Sequence, residues 1–104
     1  MSRRAYLATD RPALRALSDV GQLAAGSYAV VEAASTDEQD EYDAMVEAGE
    51  LAEQRWGEAL VVAVEAAAVT PPGDVDRADV ASLHVGEDLA WYATQELETL
   101  LAEE

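Results

Sequence analysis

Ala59-Leu60-Val61-Val62-Ala63-Val64 is the longest apolar run in the chain, and its reading decides the fold class. A membrane span needs about 18 or more such residues, so this run is far too short to be one. It also lacks the apolar-polar alternation of a strand with one wet face. The stretch from Glu58 to Val69 therefore predicts a central strand covered on both sides, and Gly57 marks its start.

Upstream of it, a long helix is expected from about Asp37 to Trp56. Ser35 with Glu38, or Thr36 with Gln39, fits a capping box. Tyr42, Met45, Val46, Gly49, Ala52 and Trp56 fall on one side at helical spacing and form its expected core face. Ser27 to Ala34 reads as a strand, carried by Tyr28, Val30 and Val31. Gln22 to Gly26 is a connector. Before it, Asp10 caps a helix with Pro12 in the first turn and Gly21 as its stop. Ala13, Leu14, Ala16, Leu17 and Val20 make that helix's stripe, and Arg4 to Ala8 is the first strand.

Downstream, Thr70-Pro71-Pro72-Gly73-Asp74 is the clearest loop. Ala81 to Val85 is a fourth strand. Asp88 then caps a last helix with the stripe Leu89, Ala90, Ala93, Leu97, Leu100 and Leu101. The order β-α-β-α-β-β-α predicts one α/β domain over residues 1–104. It would be a single layer of four mixed strands with three helices and some parallel pairing.

Composition narrows the function. The 104 residues carry 22 Asp and Glu against 6 basic residues, a net charge of −16. Half the residues are hydrophobic, which argues against disorder. All the basic residues are Arg, and Lys, Ile, Phe, Asn and Cys are missing, the mark of a GC-rich coding sequence. Without Cys there are no disulfides and no thiolate metal sites. Six scattered Arg are a poor footprint for phosphates, so direct nucleic acid and membrane partners are disfavoured. Ser2-Arg3-Arg4 is followed by charged residues rather than an apolar stretch, so it is no export signal. A cytoplasmic, soluble protein is expected.

The usual chemical motifs fail. Asp74-Val75-Asp76 begins like a calcium loop, but the Gly and Glu positions hold Asp79 and Val85. No glycine-rich phosphate loop is present. The one histidine, His84, lies between Leu83 and Val85, with Ser82 on its own strand face. No nucleophile elbow accompanies the pair. No metal, cofactor or catalytic residue is assigned.

Two features remain. Asp40, Asp43, Glu47 and Glu50 recur at spacings of three and four, hence on one helix face, although like charges so placed repel. Trp91-Tyr92 lies away from the last helix's leucines, a composition suited to an interface anchor or to a lid over the sheet edge.

Three stretches together resemble a small uncharacterised family of actinobacterial proteins, a domain of unknown function. They are Arg4-Ala5-Tyr6-Leu7-Ala8-Thr9, Asp37-Glu38-Gln39-Asp40-Glu41-Tyr42-Asp43-Ala44, and His84-Val85-Gly86-Glu87-Asp88. The family usually has Pro where this chain has Ala8, and Asp where it has Gly86. The resemblance implies a related origin and the same fold, and brings no activity.

The expected function is a non-enzymatic protein-interaction or regulatory module. Its acidic row or Trp91-Tyr92 would meet a basic protein surface or a second copy. A sharper version is an inhibitor that mimics nucleic acid. The alternative is a small-molecule binder or enzyme around His84, which requires a concave pocket holding His84 beside Ser82 or a carboxylate.

Overall fold

The computed structural model describes residues 3–69 and 73–102. Thr70, Pro71 and Pro72 of the expected loop lie outside the described residues.

β1 (Arg4–Ala8) leads into α1 (Arg11–Val20). Asp10 caps α1 by accepting from the Ala13 amide at 3.0 Å, and Gly21 closes it in the left-handed conformation. A short β2 (Gln22–Leu23) and then β3 (Ala29–Glu32) follow. α2 (Glu38–Trp56) is a helix about 28 Å long at 1.5 Å rise per residue. Its cap is Asp37, which accepts from the Gln39 amide, rather than Ser35 or Thr36. Ser35 instead accepts from the Asp37 amide and donates to Asp40.

β4 (Leu60–Glu65) is the predicted central strand, and a 3-10 turn over Ala66–Val69 ends it. β5 (Val75–Asp76) pairs with β2 in a separate two-stranded sheet. A 3-10 turn over Arg77–Asp79 precedes β6 (Val80–Val85). β7 (Ala90–Tyr92), a 3-10 turn over Thr94–Glu96 and α3 (Leu97–Ala102) complete the order.

The main sheet has five strands in the order β3-β1-β4-β6-β7, and every hydrogen-bonded pair is antiparallel. The expected four mixed strands with parallel pairing are corrected here. The registers explain why. β3 and β4 do point the same way, with α2 as the crossover between them. β1 lies between the two and opposes both, at Ala8↔Ala29 on one side and Ala8↔Val61 on the other. The β-α-β unit is split by an inserted strand. The excursion through α1 returns to the end of the sheet it left, where Thr9 Oγ1 donates to the Ser27 carbonyl at 2.9 Å.

Residues 89–93, expected to open the last helix, instead form a turn and an edge strand. Gly86 takes a left-handed φ of 86°, and the Leu89 amide donates back to its carbonyl. The signals for this hairpin were present: a glycine between two β-prone runs, the second holding Trp91 and Tyr92.

The sheet is covered on both faces. Ala5, Leu7, Leu60, Val62, Val64 and Leu83 point to one side, where Leu14 and Leu17 of α1 and Leu97, Leu100 and Leu101 of α3 meet them. Tyr6, Ala8, Val61 and Ala63 point to the other, against Ala44, Ala48 and Ala52 of α2. α2 packs mainly on Ala44, Ala48 and Ala52; of the expected stripe, Gly49 and Ala52 are buried and Met45 and Trp56 pack partly against this core, while Tyr42 turns outward. Hydropathy weighs the large side chains, but alanines at every fourth position let the helix backbone approach the sheet closely. Tyr42 is left 58% exposed. Among the described residues, no helix is long and apolar enough to cross a membrane.

Candidate interaction site

The outer part of the α2 stripe has a use. Tyr42, Met45, Val46 and Gly49 line a cleft of about 390 Å³ between α2 and the β6–β7 turn. Ala59 and Leu89 complete its apolar lining, and Glu50, Glu53, Glu87 and Asp88 supply carboxylates from both sides. No basic residue lines it. A Cβ on Gly49 would lie 3.0 Å from a Leu89 methyl, so the glycine makes room for the leucine against the helix. Leu89 holds a φ of 49°, a left-handed conformation that costs a non-glycine residue roughly 1–2 kcal/mol. The turn thereby drives a leucine sideways onto α2.

The acidic row sits beside this cleft. Asp43, Glu47 and Glu50 are exposed. Asp43 accepts from the Gln39 side chain at 2.8 Å. Asp40 is only half exposed, and Ser35 Oγ donates to it at 2.6 Å, so it belongs to the helix start. From Asp37 to Gln54 the chain has eight carboxylates and no basic residue, half of the net charge of −16. The ion pairs of Arg3, Arg11 and Arg77 go to Glu32, Glu58 and Glu98, away from the row. Arg55, the first cation after it, stacks on the Trp56 ring at 4.9 Å. The field of α2 also reaches its inner side. The Tyr6 phenol is raised above its usual range by burial, then by Glu41 and Glu65, against a lowering by Arg4.

Ser82 and His84 share the α2-side face of β6, as their spacing predicted. The pairing with β4 skips Ala81, which keeps Val80 and Leu83 together on the opposite face. His84 stands opposite Val61 and Trp91, and Ser82 opposite Ala63. Ser82 Oγ and His84 Nε2 are 3.0 Å apart. Burial lowers the histidine below its usual value. A hydrogen bond to the Leu89 main chain opposes that shift, and Arg4 adds to it. The ring is therefore neutral at pH 7. Ser82 is 4% exposed and His84 9%, and neither lines the cleft. A nucleophile must meet its substrate, and this hydroxyl is closed in. The hydrogen bond instead joins two buried side chains on the α2 side of β6.

Trp91 and Tyr92 stand on edge strand β7, not on a helix, and alternation sends them to opposite faces. Tyr92 packs partly against the leucine core. Trp91 is 64% exposed on the α2 side. Among the described residues, no group of three or more His, Asp or Glu is placed to hold a metal ion. Nothing in the local sequence pattern marks Glu53, Glu87, Asp88 and Leu89 as lining residues, because the last three reach the cleft only through the hairpin.

Comparison with protein-family models, with curated proteins and with solved structures finds no match, so any functional reading rests on these residues alone.

Proposed function

We propose that the protein is a non-enzymatic interaction module whose partner is a basic protein surface. One observation carries this reading: eight carboxylates without an intervening cation, one at the cap of α2 and seven within it, whose outer row receives none of the ion pairs of Arg3, Arg11 or Arg77. Like charges at helical spacing cost the helix about 0.2–0.5 kcal/mol per pair, and a cationic partner relieves that repulsion. Mimicry of a nucleic acid is the weaker form of the idea. A phosphate backbone needs a long regular row, and with Asp40 held by Ser35 only Asp43, Glu47 and Glu50 remain, two helical turns.

The test is binding to a synthetic helical peptide of Arg, Lys and Ala, followed by fluorescence anisotropy at low and moderate salt. Reversing Asp43, Glu47 and Glu50 to Arg should weaken binding by more than about five-fold. The control reverses Asp19, Glu65 and Asp79, three exposed carboxylates off the row, and so carries the same net charge. Equal weakening by both triples would reduce the row to a share of the bulk charge and end this reading.

A further inference from the structure

The reading above leaves the cleft without a role, and the cleft is where charge and apolar surface converge. Resting on that reading, we infer that the cleft receives one large apolar side chain of the partner, presented between basic residues. The occupant is thus a cationic amphipathic segment, with an aliphatic or aromatic anchor flanked by Arg or Lys.

Complementarity selects this occupant. Tyr42, Met45, Val46, Gly49 and Leu89 form an apolar lining, and Glu50, Glu53, Glu87 and Asp88 bring four carboxylates with no cation among the lining residues. A purely apolar segment would have to strip water from those carboxylates without replacing it. A purely cationic one would lie over the apolar lining and gain nothing there. A segment with both matches both. A second copy of this chain is disfavoured, because each copy carries a net charge of −16. Size agrees: ligand pockets span about 300–1,000 Å³, and a cleft of about 390 Å³ is at the small end, suited to one anchor rather than a folded surface.

The cleft is shaped for a single knob as well. Leu89 already places one leucine against Gly49, held by a left-handed main chain. The partner's anchor would sit beside that leucine, along the open flank of Tyr42 and Val46.

Two synthetic helical peptides of equal positive charge test this with the intact protein. One carries Leu at positions i and i+4 between its Arg and Lys residues, and the other carries Ala there. The Leu peptide should bind about ten-fold tighter or more. Its amide shifts in heteronuclear NMR should centre on Gly49 and Leu89. The double substitution Tyr42→Ser with Val46→Ser should bring the preference for the Leu peptide over the Ala peptide below about two-fold. Tyr42 is exposed and Val46 half-buried, and the NMR spectrum reports whether the fold is kept. Equal affinity for the two peptides, or a preference that survives the double substitution, overturns the anchor pocket and leaves the basic-partner reading standing. Binding of neither peptide overturns both.

Discussion

The two faces of the five-stranded sheet are built from different materials. The face under α1 and α3 is a leucine core, with nine buried leucines among the described residues. The face under α2 is mostly alanine: six of its eight buried hydrophobic residues are Ala. The first holds the fold by bulk, since each large side chain buried contributes about 1.5–3 kcal/mol. The second gains little from each buried alanine, and Tyr42, Met45, Val46 and Leu89 on this side line the cleft. Stability and recognition are thus divided between opposite sides of one sheet.

The largest expected effect tests that division. Leu14→Ala removes a fully buried side chain from the leucine face and should destabilise by about 2–5 kcal/mol in urea unfolding. On the other face the damaging change runs the opposite way. Ala48→Leu would wedge α2 off the sheet, at about 1–3 kcal/mol. Its urea midpoint should fall less than that of Leu14→Ala. A larger loss for Ala48→Leu would show that the alanine face carries the stability.

A smaller effect concerns the polar pair on the α2 side. Ser82→Ala removes one hydrogen bond and should cost about 0.5–1.5 kcal/mol. His84 adds a pH signature. Its folded value lies below the 6.5 of the unfolded chain, so below that pH the unfolded state binds more protons. This contribution is complete above 6.5 and is lost as the pH falls toward the folded value. Urea midpoints at pH 7.5 and 5.5 should diverge in the parent and diverge less in His84→Gln. Identical slopes would mean that the ring is solvated after all.

The smallest effect belongs to the leucine side's exterior. Arg77 Nη1 donates to Glu98 at 2.8 Å and joins the turn before β6 to α3, while Ser18 of α1 donates at 3.3 Å. The Arg77 hydrogen bond, then the helix's own main chain, lowers the Glu98 carboxyl from 4.5 to about 2. Stability from this pair is present above 4.5 and is lost as the pH falls through about 2. Glu98→Gln should flatten that acid limb slightly and change nothing at pH 7 beyond what an exposed ion pair is worth.

Much of the first half of the chain was legible. Asp10, Pro12 and Gly21 bounded α1, and Gly57 ended α2, because caps and stops act through the local main chain. The run around Val61 and Val62 correctly announced a strand buried on both faces. It did not announce direction. An apolar run reports that both faces are covered, and helices cover the antiparallel sheet here as they would a parallel one. Of the candidate site residues, Ser82 and His84 were placed on one strand face by alternation alone. The cleft was not legible, since the stripe of Tyr42, Met45 and Val46 looks the same whether it faces a core or a groove.

The sequence by itself determined the central strand, the limits of α1 and α2, the concentration of carboxylates on one helix and the shared face of Ser82 and His84. These depend on contacts within a few residues along the chain. Only the tertiary structure decided that β1 splits the β3–α2–β4 unit, that α2 rests on alanine, and that Leu89 crosses to Gly49. Those outcomes depend on how closely segments forty residues apart can approach, which is a matter of packing volume rather than of local pattern.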